Sequence, residues 1–212
     1  MKCTFTAILL VFFSMKAMAL GTEERKKLFQ ESIATLKSSG IEKKVPQFGE
    51  SFPDAHILGK TISERVKPGP VLLIVYRGGW CPYCIKQLKE VEENITILRK
   101  RGVSVIALAI ETEAEVRKTK NKNQLSFELV SDKDGALLRK LGFLFQVDAQ
   151  VAAEYKKLGI DLVENQGNTR NELPIPATYL IGKDMKVKYA VIDADYTKRP
   201  KIQDIIKTVE NL

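Results

Sequence analysis

The chain has 212 residues, of which 44% are hydrophobic and 28% are charged, so it is long and apolar enough for one well-packed domain. Its net charge of +8 arises from 34 basic residues that are interleaved with 26 acidic ones. Nucleic-acid binding needs clustered basic residues and a reading element, so the sequence favours a solvated basic surface and no nucleic-acid partner.

The first nineteen residues have the pattern of a secretory signal. Lys2 supplies a short positive region, the apolar run Ala7–Phe13 follows, and the tripeptide Ala17–Ala19 supplies the small residues that signal peptidase requires. The apolar run is too short to anchor a chain stably across a bilayer, so a retained anchor is the less favoured alternative. We predict cleavage after Ala19 and a periplasmic or secreted protein with no stable membrane insertion.

Signal cleavage also changes the number of thiols. The removal of Cys3 leaves Cys81 and Cys84 as the only cysteines, and the removal of Lys2 and Lys16 lowers the net charge by two. An exported chain meets oxidising conditions, in which disulfides form and persist. We therefore expect Cys81 and Cys84 to be joined by a disulfide in the isolated mature protein.

The mature chain begins with a helical pattern. Between Thr22 and Ser39 the apolar residues Leu28, Ile33 and Leu36 recur at a roughly helical spacing, and Gly40 follows as a stop signal. This pattern predicts an N-terminal helical extension over residues 20–44. No internal repeat or linker-like change of composition follows it, so residues 45–212 are interpreted as one domain.

A strand, a helix and a second strand surround the two cysteines. The unbroken apolar run Val71–Tyr76 is typical of a strand buried on both faces. The cysteines follow directly, and a stripe of apolar residues predicts a helix that continues to about Lys100. Val103–Ile110 is a second buried strand. This order implies two parallel strands with a right-handed crossover.

The rest of the chain continues to alternate between helices and strands, which indicates an α/β domain with a central mixed sheet flanked by helices. The predicted helices are Glu113–Lys122, Gly135–Leu141, Ala149–Leu158 and Ile202–Val209, and the predicted strands are Phe127–Val130, Ala177–Ile181 and Val187–Ile192.

The cysteine pair lies where a thiolate is favoured. Gly78 and Gly79 allow a sharp turn after the strand, and Pro82 suits a first helical turn because it has no amide hydrogen to leave unpaired. Both sulfurs then lie near a helix N-terminus, where unpaired amides and the helix dipole stabilise negative charge. The spacing of three residues lets the two sulfurs bridge, so Cys81 and Cys84 are predicted to form a redox-active centre.

Three other interpretations of the cysteine pair are less favoured. A zinc site needs four ligands, and beyond carboxylates the mature chain adds only His56, to which no role is assigned. Haem attachment needs a histidine after the second cysteine, where Ile85 stands. A purely structural disulfide would close a very short loop and add little stability. The prediction is therefore a redox site without metal or organic cofactor.

From Phe52 to Pro200 the chain resembles the peroxiredoxin-like branch of the alkyl hydroperoxide reductase/thiol-specific antioxidant family. The matching segments are VYRGGWCPYC (Val75–Cys84), LSFELVSDKDG (Leu125–Gly135), ELPIPATYLI (Glu172–Ile181) and DADYTKRP (Asp193–Pro200). The resemblance implies a thioredoxin-like fold and thiol-dependent reduction of peroxides. It also implies that Cys84 attacks the peroxide and that Cys81 resolves the product.

The chain departs from the family pattern at two places. Peroxiredoxins carry Pro-x-x-x-Thr-x-x-Cys, whereas Arg77 and Cys81 stand at the positions of the proline and the threonine. Pro176 replaces the distant arginine and resembles the cis-proline of thioredoxins. The sequence Trp80–Cys84, which includes Pro82 and Tyr83, is likewise similar to thioredoxins and glutaredoxins.

Charged and aromatic neighbours complete the predicted site. Thioredoxins bury an acid where this chain has Val75, and Glu111 is the candidate for proton transfer in its place; an exposed acid that opens the next helix is the alternative. Arg77 is predicted to supply a permanent positive charge beside the thiolate. Trp80 either covers the redox pair or packs in the core.

Two functions fit these residues, together with a third possibility of a binding module with an inert bridge. The preferred function is a thioredoxin-dependent type of peroxidase, an antioxidant enzyme that takes a hydroperoxide as substrate and receives electrons from a thioredoxin-like or membrane-bound thiol reductant. The alternative is a thioredoxin-like protein disulfide reductase or oxidase, in which Cys81 attacks and Cys84 resolves the mixed disulfide.

Overall fold

The computed structural model describes residues 20–212, so the predicted signal segment lies outside the described residues. Among residues 20–212 there is no helix of the length and apolar character that crossing a membrane requires. The secretory signal and the periplasmic or secreted location stay predictions.

The described chain alternates between helices and strands around one central sheet. The helices are α1 (Thr22–Ser38), α2 (Ile62–Arg65), α3 (Pro82–Glu93), α4 (Ile95–Lys100), α5 (Glu113–Lys122), α6 (Ala136–Lys140), α7 (Ala149–Lys157), α8 (Leu162–Gln166) and α9 (Ile202–Glu210), with a 3₁₀ turn at Ile41–Lys43. The strands are β1 (His56–Ile57), β2 (Lys60–Thr61), β3 (Val71–Val75), β4 (Ser104–Ala109), β5 (Glu128–Ser131), β6 (Leu144–Gln146), β7 (Glu172–Pro174), β8 (Ala177–Ile181) and β9 (Val187–Ile192).

The central sheet has the strand order β5-β4-β3-β8-β9. Strands β3, β4 and β5 are parallel, whereas β8 pairs antiparallel with β3 and β9 pairs antiparallel with β8. The predicted α/β domain with a mixed sheet flanked by helices is therefore confirmed. The parallel pairing of β3 with β4 around the cysteine helix is confirmed as well.

Strand β3 is buried on both faces, as its apolar run predicts. All five of its residues are buried, and successive side chains enter two different apolar clusters. Leu73 belongs to one cluster, while Leu72 and Ile74 belong to the other, which also contains Cys81 and Cys84. The cysteine pair is thus part of the core on one side of the sheet.

The cysteine helix and the strand pair β6–β7 differ from the sequence-based expectation. The helix predicted to continue to about Lys100 is interrupted at Asn94, whose side-chain Nδ2 donates a 2.8 Å hydrogen bond to the carbonyl of Glu90. Asparagine side chains compete for backbone partners in this way, which explains the break. The antiparallel pair β6–β7 was not predicted, because its short strands are far apart in the chain and β7 ends at Pro174.

The N-terminal helix α1 lies against helix α7 and is held there by one ion pair and one ring contact. Arg25 Nε lies 3.1 Å from a carboxylate oxygen of Glu154, and the rings of Phe29 and Tyr155 are 5.2 Å apart. None of the residues of α1 is fully buried. The helix therefore covers the domain from outside and adds little to its core.

Candidate functional site

The two cysteines lie at the turn from β3 into α3. Cys81 is the N-cap residue of α3, and Pro82 is the first residue of the helix, as expected. Side chains approach both glycines of the turn closely: a Cβ atom on Gly78 would meet Trp80 and Glu111, and one on Gly79 would meet Thr119. The glycines are therefore required by space as well as by the direction of the turn.

Both cysteines are free thiols and both are buried. Cys81 has a relative exposure of 1% and Cys84 of 0%. The disulfide between them stays a prediction for the oxidised protein. A buried thiol normally resists ionisation, because burial disfavours the charged form. The charged groups around the sulfurs decide which of the two is the thiolate.

Arg199 makes the direct contact with Cys84. Its Nη2 atom donates a hydrogen bond to Cys84 Sγ at 3.1 Å. Burial raises the pKa of Cys84, but the hydrogen bond from Cys81 and the charge of Arg199 oppose this effect, with smaller contributions from Arg77. The net result lowers the pKa of Cys84, so Cys84 is the sulfur of the pair that ionises more readily.

Cys81 behaves in the opposite way. Its hydrogen bond to Cys84 is the largest cause of a raised pKa, and burial adds to it. Cys81 therefore keeps its proton and donates a hydrogen bond to the Cys84 thiolate. The pair is asymmetric, with one thiolate and one thiol, and this asymmetry assigns different chemical abilities to the two sulfurs.

Arg199 is the functional residue that sequence reasoning missed. It belongs to the DADYTKRP segment of the family resemblance, but no chemistry was assigned to it. It lies 115 positions from Cys84 in the chain, so no local spacing connects the two residues. The only signal in the sequence was its place within that segment, which carries the resemblance without naming a partner.

Arg77 is buried and does not face solvent at the strand end. Its exposure is 3%, and its Nη2 donates a 2.6 Å hydrogen bond to the hydroxyl of Tyr155. Three rings surround the guanidinium, at 4.1 Å for Tyr196, 5.0 Å for Trp80 and 5.4 Å for Tyr155. Cation–π attraction stabilises a desolvated guanidinium in such a position. Arg77 lowers the pKa of Cys84 through a backbone hydrogen bond and through its charge, while its side chain donates to Tyr155 and not to a cysteine.

Glu111 lies directly after β4 and is buried beside the cysteine turn. Its exposure is 1%, and its Oε2 accepts a 2.8 Å hydrogen bond from the backbone N–H of Gly79. Burial raises the pKa of Glu111 to about 7, although the hydrogen bond from Gly79 opposes the shift. The alternative of an exposed surface acid is therefore wrong, while the role in proton transfer stays a prediction.

The other predicted residues lie around the same turn. Trp80 is half-buried with its ring 5.9 Å from Tyr155, and Tyr83 is 42% exposed with its ring 6.0 Å from Tyr196. Pro176 lines a small cavity together with Arg77 and Tyr196. All peptide bonds in residues 20–212 are trans, so the resemblance of Pro176 to a cis-proline is wrong in conformation.

We next consider whether side chains in the described part of the chain could ligate a metal ion. No group of three or more histidine, cysteine or acidic side chains is placed to hold an ion there. His56 is exposed in the short strand β1.

Two of the cavities near the site differ in character. The α1 cavity is enclosed by α1, α7 and β7 and is lined mostly by apolar side chains, with Arg77 among them. Its 20 Å³ has room for about one water molecule. The α3–α9 pocket lies between α3 and the segment that leads into α9, has a volume of ≈ 520 Å³ and includes Arg199 in its lining.

Comparison with known proteins identifies the family. The family model described as AhpC/TSA matches residues 41–190. The chain belongs to the AhpC/TSA family. The expected family and its thioredoxin-like fold are thus confirmed, and the match begins at the 3₁₀ turn that follows α1.

The curated proteins that resemble the chain include thiol-disulfide oxidoreductases. The chain is 27% identical over 137 residues to thiol-disulfide oxidoreductase ResA from Bacillus cereus, which covers 61% of this chain and 77% of that protein. It is 27% identical over 135 residues to ResA from Bacillus anthracis, covering 60% of this chain and 76% of that protein.

Solved structures of peroxiredoxins share the fold. Peroxidoxin BcpB from Mycobacterium tuberculosis aligns with a TM-score of 0.59 and 15% identity, covering 79% of this chain and 98% of that one. A PrxQ mutant from Xylella fastidiosa aligns with a TM-score of 0.60 and 15% identity, covering 78% of this chain and 96% of that one. The family match, the fold and the paired cysteines identify the chain as a thiol oxidoreductase.

Proposed function

We propose that this protein is a thiol-dependent peroxidase in which Cys84 attacks the hydroperoxide and Cys81 resolves the product. The observation that carries the proposal is the contact between Arg199 and Cys84: a guanidinium lies 3.1 Å from a fully buried sulfur. Together with the hydrogen bond from Cys81, this contact lowers the pKa of Cys84 and so favours the thiolate, the nucleophilic form of cysteine.

The proposed first step is a displacement at oxygen. The Cys84 thiolate forms a bond to the terminal oxygen of the hydroperoxide, the O–O bond breaks, and the leaving alkoxide or hydroxide takes up a proton. Sulfur is oxidised to sulfenic acid while the peroxide is reduced to an alcohol or water. Positive charge from Arg199 stabilises the negative charge that moves from sulfur to the leaving oxygen.

The proposed second step joins the two sulfurs. The Cys81 thiol attacks the sulfenic sulfur of Cys84, loses its proton, and releases water as the disulfide forms. A thioredoxin-like or membrane-bound thiol reductant then returns two electrons and two protons. Oxidation of Cys84 removes the thiolate that keeps Cys81 protonated, so Cys81 becomes easier to deprotonate after the first step.

Glu111 is proposed as the group that exchanges protons with the site. A carboxyl with a pKa of about 7 can donate a proton to the leaving oxygen and accept one from Cys81 at the same ambient pH. Its hydrogen bond to Gly79 fixes it on the backbone two residues before Cys81. Glu111 replaces, on a different strand, the acid that is absent at Val75.

Burial favours a small substrate. Neither cysteine has more than 1% relative exposure, so the sulfur of a protein disulfide could approach only after the turn at Trp80 and Tyr83 had moved. A hydroperoxide group needs far less space. This difference supports the peroxidase over direct exchange with protein disulfides.

Two serine variants test the proposal. Reduced Cys81→Ser protein should react once with hydrogen peroxide and yield a sulfenic acid that dimedone traps, whereas Cys84→Ser protein should not react. Stopped-flow measurement of peroxide consumption under single-turnover conditions gives the comparison. A first turnover that depends on Cys81 and survives in Cys84→Ser would overturn the assignment of roles.

A second candidate function is thiol–disulfide exchange with a protein partner. The similarity to the ResA proteins favours it, as does the position of Cys81 at the N-cap of α3. In that function Cys81 would attack, because the attacking cysteine of such a pair is the more exposed one. Reduction of a protein disulfide substrate that is abolished in Cys81→Ser, together with no peroxide turnover in the wild type, would favour this candidate.

A further inference from the structure

Two cavities lie near the cysteine turn, and only one of them is lined by a residue that touches the sulfur of Cys84. Arg199 lines the α3–α9 pocket and also donates to Cys84 Sγ. The lining of the α1 cavity includes Arg77, whose side-chain hydrogen bond goes to Tyr155 and not to a cysteine. The shortest observed connection from a cavity to the reactive sulfur therefore runs through Arg199.

Arg199 is not fully satisfied by its present contacts. Its Nη1 donates to the carbonyl of Lys198 and its Nη2 to Cys84, but its Nε is buried and has no hydrogen-bond partner within residues 20–212. A buried donor without a partner costs free energy. An oxygen atom bound beside Arg199 would satisfy Nε and would lie next to the sulfur.

Most of the residues that line the α3–α9 pocket are polar or charged. It contains the oppositely charged residues Lys86 and Glu90 and the amide of Gln87, which follows Cys84 by three residues on α3. Gln87 is buried, and its Nε2 donates a 2.7 Å hydrogen bond to Thr178. An apolar substrate would displace water from these groups without replacing their hydrogen bonds, whereas a small polar one would keep them satisfied.

We infer that the α3–α9 pocket is the entrance through which the oxidising substrate reaches Cys84, and that it selects hydrogen peroxide and short polar hydroperoxides over bulky apolar ones. The inference rests on the proposed peroxidase function and names its substrate class. Because Cys84 is fully buried, the substrate reaches the sulfur when the Arg199 side chain shifts toward it. The two oxygens of the peroxide group then accept hydrogen bonds from the guanidinium. The reaction that follows is the displacement at the terminal oxygen described above.

A tryptophan at the rim of the pocket tests the entrance without changing the cysteines or Arg199. Gln203 lines the pocket and is exposed near the start of α9, so Gln203→Trp should obstruct the pocket. Lys207→Trp is the matched control, because Lys207 is exposed one turn further along α9 and does not line the pocket. Ile33→Trp is a second control that obstructs the α1 cavity.

We expect Gln203→Trp to lower the second-order rate constant for oxidation by hydrogen peroxide by about tenfold, with the pH midpoint of thiolate absorbance unchanged. Both controls should keep the wild-type rate. The wild type should also react faster with hydrogen peroxide than with cumene hydroperoxide. A rate that falls in Ile33→Trp but not in Gln203→Trp, or a preference for cumene hydroperoxide, would overturn the inference.

A second readout separates this inference from the proposed function. In the Cys81→Ser background, iodoacetamide alkylates only Cys84 of the mature chain, and Gln203→Trp should slow this alkylation while Lys207→Trp does not. Absence of any peroxide reaction in the wild type would overturn both the proposed function and the substrate class. A normal peroxide reaction, with equal alkylation and oxidation rates in the parent protein, Gln203→Trp and Lys207→Trp, would overturn the proposed entrance alone.

Discussion

Two arginines serve the cysteine pair in different surroundings. Arg77 is 3% exposed, is enclosed by three aromatic rings and donates to one hydroxyl. Arg199 lines an open polar pocket, touches the sulfur of Cys84 and has a buried Nε without a partner in the described chain. The first guanidinium is held by its own environment, whereas the second is held in part by the thiolate.

Charge and direct contact therefore stabilise the Cys84 thiolate as two separate contributions. The contacts of Arg77 are with uncharged side chains, so we expect its position to be independent of the charge on the sulfur. Arg199 contacts the sulfur of Cys84, so we expect its position to change when Cys84 is oxidised. The chain thus combines a fixed charge with a responsive one, and variants of each should give effects of different size.

The largest effect is expected from Arg199→Met. Loss of the direct contact should raise the pKa of Cys84 by about two units, since an opposite charge within hydrogen-bonding distance typically contributes one to three. The ultraviolet absorbance of the thiolate, followed against pH in the reduced protein, gives the midpoint. Lys198→Met removes a neighbouring exposed charge and should leave the midpoint unchanged. Equal midpoints for Arg199→Met and Lys198→Met would show that the contact does not determine the ionisation.

A second prediction concerns Glu111, the buried acid of the same turn. Its folded-state pKa of about 7 is raised above the usual carboxyl value, so the wild type loses stability as pH rises from about 4.5 to 7 while the unfolded chain ionises first. Below this window the carboxyl is neutral in both states. We expect Glu111→Gln to gain about 3 kcal/mol relative to the wild type across the window.

Urea unfolding of the reduced proteins at several pH values measures the Glu111 effect. Glu113→Gln, which replaces an exposed acid in the first turn of α5, is the control. A stability difference between wild type and Glu111→Gln that stays constant with pH would contradict a raised pKa for this carboxyl. It would also remove the basis for its role in proton transfer.

A smaller effect is expected from Arg77→Met. The substitution removes a charge that acts without touching Cys84, so the pKa of Cys84 should rise by about one unit, equivalent to about 1.4 kcal/mol. The unbranched apolar side chain of methionine suits a site enclosed by Trp80, Tyr155 and Tyr196. The same absorbance titration measures the shift. A shift as large as that of Arg199→Met would mean that contact adds nothing to charge.

The smallest effect is expected from Tyr155→Phe. This change removes the hydroxyl that accepts from Arg77 but leaves the guanidinium among its rings. The midpoint of thiolate absorbance should move by less than about half a unit, because the charge itself remains. A shift equal to that of Arg77→Met would show that the hydrogen bond, and not the rings, positions the guanidinium.

The sequence predicted those parts of the fold that depend on continuous local patterns. Helix Glu113–Lys122 and strands Ala177–Ile181 and Val187–Ile192 have the predicted bounds, since capping residues and apolar runs mark them. The antiparallel pair of Leu144–Gln146 with Glu172–Pro174 was missed, because its pairing forms across a long stretch of chain and its strands are too short to show a period.

The site was predicted as far as its chemistry is local. The CxxC spacing and its place before a helix indicated the redox pair, and the position after a buried strand indicated Glu111. The contact of Arg199 with Cys84 and the burial of Arg77 among aromatic rings arise from tertiary packing of distant segments. The trans conformation at Pro176 shows that a residue type shared with thioredoxins does not fix the backbone around it.

The most direct test of this account is to identify which sulfur is the thiolate in the reduced wild type. Brief labelling with iodoacetamide at about pH 6, followed by peptide mass spectrometry, distinguishes Cys81 from Cys84, because only a thiolate alkylates readily. The structure predicts labelling of Cys84, with Cys81 labelled only after Cys84 is blocked or the protein is unfolded. Predominant labelling of Cys81 under these conditions would contradict the assignment of Cys84 as the attacking residue.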